Sequence, residues 1–163
     1  MDGARRAARL GRRRRAPRRC RRLHRTHPYH RAGGGDPDVI SKLAILVWSL
    51  SPERPELAAS PFVYAATACA MDCEVEIHFA GTAVKLLAPG VAEGMHPSAG
   101  RERSIYDFMR DAAEQGAAFY GCQMALRTHG LVDQPLIPEY SGAAGAAAFV
   151  ARTLDPEWRT MIF

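Results

Sequence analysis

Residues 42–48, Lys42-Leu43-Ala44-Ile45-Leu46-Val47-Trp48, form a continuous apolar run that opens the patterned part of the chain. The run is too short to span a membrane and suits a strand buried on both faces. A Pro-broken loop over 49–56 follows, and Ser60-Pro61 supplies an N-cap and a first helical position. The helix predicted over 61–71 carries Phe62, Val63, Ala66, Cys69 and Ala70 at mixed helical spacing. Residues 74–79 alternate apolar with polar side chains, the pattern of a second strand, and Gly81 ends it. Thr82 then caps a short helix through Leu87. Strand, crossover helix and parallel strand make a βαβ unit.

Residues 88–103 hold Pro89-Gly90, Gly94, Pro97 and Gly100 and predict a long irregular loop, with His96 inside it. Loops of this length are often functional lids. Ser104 and Asp107 have the spacing of a capping box, and the helix behind them aligns Ile105, Phe108, Met109 and Ala112, a stripe that core packing explains. A third strand ends at Tyr120, Gly121 turns the chain, and Cys122 falls on the first turn of a helix to about Thr128, with Gly130 as its stop. Leu136-Ile137, between Pro135 and Pro138, reads as a short fourth strand. Ser141 caps a small-residue helix over 142–154, Asp155-Pro156 ends it, and residues 158–163 alternate as a terminal strand. This order predicts an α/β fold, a three-layer α/β/α sandwich with a mostly parallel sheet of about five strands.

Charge divides the chain. Of the net +5, residues 1–31 carry 13 Arg against Asp2 alone, a balance of +12, and the remainder sets 9 Lys and Arg against 16 acids, a balance of −7. We therefore expect a disordered Arg-rich tail over 1–38 and a single acidic domain over 39–163. The tail has no apolar segment that would make it an export signal. A basic arm for nucleic acid is one reading of it, ranked last against the acidic domain. The favoured reading is a misassigned start, with the natural one near Val39, since Arg/Ala/Gly/Pro-rich runs resemble translated GC-rich upstream sequence. An endogenous peptide from residues 1–35, found by mass spectrometry, overturns that reading.

Chemistry centres on Cys122. A thiol at a helix N-terminus meets unpaired N–H groups that favour its thiolate, and ligand chemistry in open α/β sheets gathers at the carboxyl ends of strands. A small buried thiol filling a gap between strand and helix is the competing reading. Cys69 and Cys73 have the spacing of a two-ligand metal half-site but lack a matching second pair, so they read as core thiols or as a resolving partner for Cys122. Cys20, His24, His27 and His30 lie in the tail. His78, near the carboxyl end of the second strand, is placed on the same sheet edge as Cys122 and could assist its deprotonation, or be an ordinary half-buried strand histidine. His129 suits the negative end of a helix. The first strand–helix turn has no dinucleotide fingerprint or P-loop, and we expect neither cofactor nor metal.

The segments Lys42-Leu43-Ala44-Ile45-Leu46-Val47, Val75-Glu76-Ile77-His78-Phe79 with Gly81, Phe119-Tyr120-Gly121-Cys122 and Leu136-Ile137-Pro138-Glu139, in this order, resemble the DsrE/DsrF-like sulfur-relay proteins. Separately, no run reaches transmembrane length, and four Cys without an export signal lead us to expect a reducing, cytoplasmic setting and no membrane segment. The resemblance implies an α/β fold and commonly a homo-oligomer, a trimer or hexamer. It implies a persulfide carrier role for Cys122, with sulfur donor and acceptor proteins as partners. Tyr120, Gly121 and His78 are the expected pocket residues around it: Tyr120 as wall or hydrogen-bond donor, Gly121 as a point of close approach. The alternative is a non-catalytic oligomerisation or small-ligand module in which Cys122 is structural.

Overall fold

The computed structural model describes residues 41–163. Five strands form one sheet: β1 (Lys42–Val47), β2 (Glu74–Phe79), β3 (Ala118–Gly121), β4 (Tyr140–Ala143) and β5 (Trp158–Ile162). Their spatial order is β4-β3-β2-β1-β5, and every neighbouring pair is parallel. The helices are α1 (Ser60–Ala70), α2 (Val91–Gly94), α3 (Ile105–Glu114), α4 (Gln123–Thr128) and α5 (Ala146–Leu154), with 3-10 turns at Pro55–Leu57 and Gly81–Leu87. The expected α/β sandwich with a five-stranded parallel sheet is borne out. No helix among the described residues is long and apolar enough to cross a membrane.

Strand alternation divides the side chains between two faces. On the first, Phe79 and Phe119 meet Phe62 of α1 with ring centroids 6.1 and 6.3 Å away. Ile45, Val47, Ile77, Leu86, Leu87, Ile105 and Met109 complete this fully buried core. The second face presents Ala44, Leu46, Glu76, His78 and Tyr120 and is covered by α5, none of whose nine residues is buried. The predicted capping box is present: Ser104 Oγ accepts from the Asp107 backbone N–H, and the Asp107 carboxylate accepts from that of Ser104.

Several boundaries differ from the expectation, each for a local reason. Leu136-Ile137 is not a strand. Pro135 and Pro138 remove two ladder donors, and the Ile137 N–H is taken by the Leu87 carbonyl at 2.9 Å. The fourth strand is Tyr140–Ala143 instead, so Ser141 caps no helix. It is the extra residue at a register break against β3, and its hydroxyl accepts the Phe119 N–H at 3.1 Å. Helix α5 consequently starts later, at Ala146, after Gly145. Ser60 is likewise inside α1, behind an Ala59 N-cap with no side-chain hydrogen bond. The Thr82–Leu87 segment is a 3-10 turn, and Thr82 Oγ1 donates to the Leu50 carbonyl rather than capping it.

The 88–103 segment is not irregular throughout: it contains the one-turn helix α2 and folds onto α3. Met95 is buried, its carbonyl accepts the Ile105 N–H at 2.8 Å, and His96 Nδ1 lies 3.2 Å from the Arg103 carbonyl. The Arg103 guanidinium sits over the Phe108 ring at 4.1 Å. The Arg-rich tail, with Cys20 and three of the histidines, lies outside the described residues.

Candidate functional site

Cys122 occupies the N-cap position of α4, directly beyond the carboxyl end of β3. Its backbone N–H donates to the Phe79 carbonyl at 2.7 Å, which continues the β2–β3 ladder by one bond and fixes the turn. Its carbonyl accepts the Leu126 N–H at 2.8 Å, the first intrahelical bond of α4. The thiol is half-buried and packs against the hydrophobic core. At the helix's far end His129 occupies the C-cap, and Gly130 takes a φ of +68° so that Leu131 N–H can close on the Leu126 carbonyl.

The other two described cysteines stand elsewhere. Cys69 is buried in the last turn of α1, and Cys73 directly precedes β2, at the amino edge of the sheet. Burial, and then Asp72, push the Cys73 thiol above its ordinary range. No group of three or more His, Cys, Asp or Glu side chains among the described residues could hold a metal ion.

Gly121 is the residue that lets the β3–α4 turn pack. A Cβ there would meet Leu126 Cδ1 at 3.0 Å, Leu87 Cδ1 at 3.1 Å and Tyr140 Cε2 at 3.3 Å. The close approach expected at this glycine is therefore made by the protein's own side chains. A shallow hollow of about 370 Å³ lies on the outer face of α4, lined by Gln123, Met124, Arg127 and Thr128, and Met124 is 76% exposed within it.

His78 and Tyr120 come together as neighbours in register on β2 and β3, with ring centroids 5.6 Å apart. The polar face of β2 is not open to solvent as simple alternation implied: Glu76 is 7% and His78 5% exposed. His78 Nε2 lies 3.1 Å from Glu76 Oε2, and Arg152 of α5 clamps the same carboxylate through Nε and Nη2, both at 2.9 Å. His78 is thus engaged by Glu76 and not by Cys122. Phe149 of α5 meets the His78 ring edge-on at 5.5 Å, and the Arg152 guanidinium lies over Trp158 at 4.5 Å. Burial, the largest influence, drives the His78 pKa down; the Glu76 hydrogen bond and charge oppose it, and the net direction is downward. Burial also pushes the Glu76 carboxyl up, but Arg152 and His78 outweigh it and leave it below its usual range. Desolvation leads in raising the Tyr120 hydroxyl, with Glu76 next.

These observations separate a thiol at the sheet's carboxyl edge from a charged cluster beneath α5. The DsrE/DsrF-like family model matches residues 42–155, a span that contains both. The chain belongs to the DsrE/DsrF-like family. Among solved structures, this DsrE/DsrF-like chain is similar to the ychN protein from E. coli, with a TM-score of 0.62 and 15% identity over 76% of this chain and 99% of that one. It is also similar to MTH1491 from Methanobacterium thermoautotrophicum, described as a protein of unknown function, with a TM-score of 0.54, 15% identity and the same coverages. At these identities the likeness is one of fold. No curated protein matches the sequence.

Glu76 and Arg152 were not anticipated. Two signals pointed to them: Glu76 and His78 are two apart on a strand and so share a face, and Arg152 is the one charged residue in the otherwise small and apolar Ala146–Leu154 helix.

Proposed function

We propose that this DsrE/DsrF-like protein is a sulfur carrier that holds a persulfide on Cys122. The observation that supports the reading is position: of the three described cysteines, Cys122 alone stands at the carboxyl edge of the parallel sheet, half-buried between solvent and core. In loading, the Cys122 thiolate attacks the outer sulfur of a persulfide donor. The donor's S–S bond breaks, its thiolate leaves with the electron pair, and a new S–S bond forms on Cys122. In delivery, an acceptor thiolate attacks the terminal sulfur and Cys122 leaves as thiolate. Sulfane sulfur is relayed with no net oxidation.

The reading includes sulfur donor and acceptor proteins as partners, a cytoplasmic setting and a homo-oligomer, trimeric or hexameric. The apolar surface left by α5 and β5, with Val150, Leu154 and Ile162 each more than half exposed, supports self-association. Gly121 shapes the turn that carries the thiol, while Tyr120 and His78 stand apart from it on the sheet face beneath α5.

Incubation with thiosulfate or a persulfide donor, followed by intact mass measurement, tests the proposal. Wild type should gain the mass of one sulfur atom and Cys122→Ser should not. Equal labelling of both, or of neither, favours the second reading: a non-catalytic module with a structural Cys122, which the close packing of Leu87, Leu126 and Tyr140 around Gly121 supports.

A further inference from the structure

Helix α5 lies on the second sheet face without a buried residue of its own, so its hold depends on a few contacts. The polar ones converge on one carboxylate. Arg152 donates twice to Glu76, and His78 Nε2 meets the same group, while Phe149 rests on the His78 ring. A ring nitrogen facing a carboxylate carries the hydrogen, so His78 Nε2 is the donor and Nδ1 the bare acceptor. Nδ1 is buried and has no hydrogen-bond partner.

We propose that this cluster is an acid-sensitive latch: protonation of His78 releases α5 from the sheet. A proton arriving at Nδ1 finds no acceptor there. It also adds a positive charge where the buried Glu76 is already matched by the partly exposed Arg152, turning a neutral pair into a cluster of net +1. The groups facing His78 offer no relief. Tyr120 stands on β3, Arg152 and Phe149 on α5, and the β1 neighbour in register is Leu46. Swinging α5 outward takes Arg152 and Phe149 with it, hydrates the imidazolium and leaves Glu76 to pair with it.

The sign follows from burial lowering the His78 pKa beneath its ordinary 6.5. The closed state is fully favoured above that ordinary value and loses stability as pH falls through it toward the lower folded value. The inference stands independently of any sulfur chemistry at Cys122.

Amide hydrogen exchange read by mass spectrometry on the full chain tests it, with rates corrected for intrinsic pH dependence. Between pH 7.5 and 5.5, protection of residues 146–154 should fall by up to about tenfold, the bound set by reading one pH unit below the ordinary imidazole value, while the amides of β1 and β2 stay protected. In His78→Gln, where no charge can form, the drop should vanish. A flat wild-type profile, or the same drop in the variant, overturns the latch. Should His78→Gln not fold, an NMR titration of the wild-type His78 ring decides: a midpoint at or above 6.5 contradicts the proposal.

Discussion

Arg152 and Glu76, 76 residues apart in sequence, meet through two parallel hydrogen bonds of 2.9 Å that tie the last helix to the second strand. The fork matches guanidinium to carboxylate, a geometry that lysine cannot reproduce. Removing either partner leaves the other charge without its counterpart. Because Arg152 is about a third exposed, the full cost of a broken buried pair does not apply, and Arg152→Ala should lose about 2 kcal/mol in urea unfolding. Glu76→Gln should cost less, since the amide still accepts from one guanidinium nitrogen. A double-mutant cycle well short of additive confirms the coupling.

The same carboxylate sets the acid limb of stability. Burial raises the Glu76 pKa, yet Arg152 and His78 hold it below its ordinary 4.5 overall. A depressed carboxyl stabilises the fold fully above its unfolded value and loses that contribution as pH falls through the folded one. Unfolding free energy should therefore decline again below about pH 4.5. In Glu76→Gln that step should be shallower.

Gly81 adopts a φ of +51°, and a Cβ there would lie 2.8 Å from the Trp48 carbonyl oxygen. Both the backbone conformation and the contact oppose any side chain. Gly81→Ala should destabilise by about 2–3 kcal/mol. A shift in the denaturation midpoint with an unchanged slope is the expected signature.

At Gly121 the backbone is ordinary and the crowding comes from Leu126, Leu87 and Tyr140 side chains. Gly121→Ala should cost about 1–3 kcal/mol by overpacking. It should also alter the rate at which Cys122 reacts with a neutral alkylating agent, because the thiol's turn must shift. Unchanged reactivity would show that the turn absorbs the methyl group without moving.

Ser141 gives a sharper case. Its hydroxyl is the acceptor for the N–H of Phe119, a residue with no exposed surface. Ser141→Ala should cost about 1–3 kcal/mol, the penalty for an unsatisfied buried donor. Ser141→Thr keeps the oxygen and should recover most of it. Thermal unfolding of the two variants makes the comparison.

How far the sequence reaches depends on how local the cause is. The continuous run of β1, the capping box of Ser104 and Asp107, and the Tyr120-Gly121-Cys122 turn are set by adjacent residues, and all were legible. Strand β4 was not, because Tyr140-Ser141-Gly142-Ala143 lacks apolar alternation and is a strand only through the edge that β3 offers it. Its neighbour Leu136-Ile137 looked better on hydropathy but lacks donors on both sides. In the site, Cys122 could be placed from its glycine, whereas His78 could not be assigned a partner. Strand alternation sends its ring to the Glu76 face, and the cation that completes that face arrives from a helix far along the chain.

The pairing of β1 with β5 bears on the order of assembly. β1 lies inside the sheet, yet its neighbour β5 comes far later in the chain, and Lys42 pairs with Glu157 across 115 residues. Until β5 is made, the apolar strand Lys42–Val47 has one free edge. Such an edge is a template for pairing with another chain. Strand β5, with the Phe163 N–H just beyond it donating to the Leu46 carbonyl, thus acts as the clasp that closes this edge.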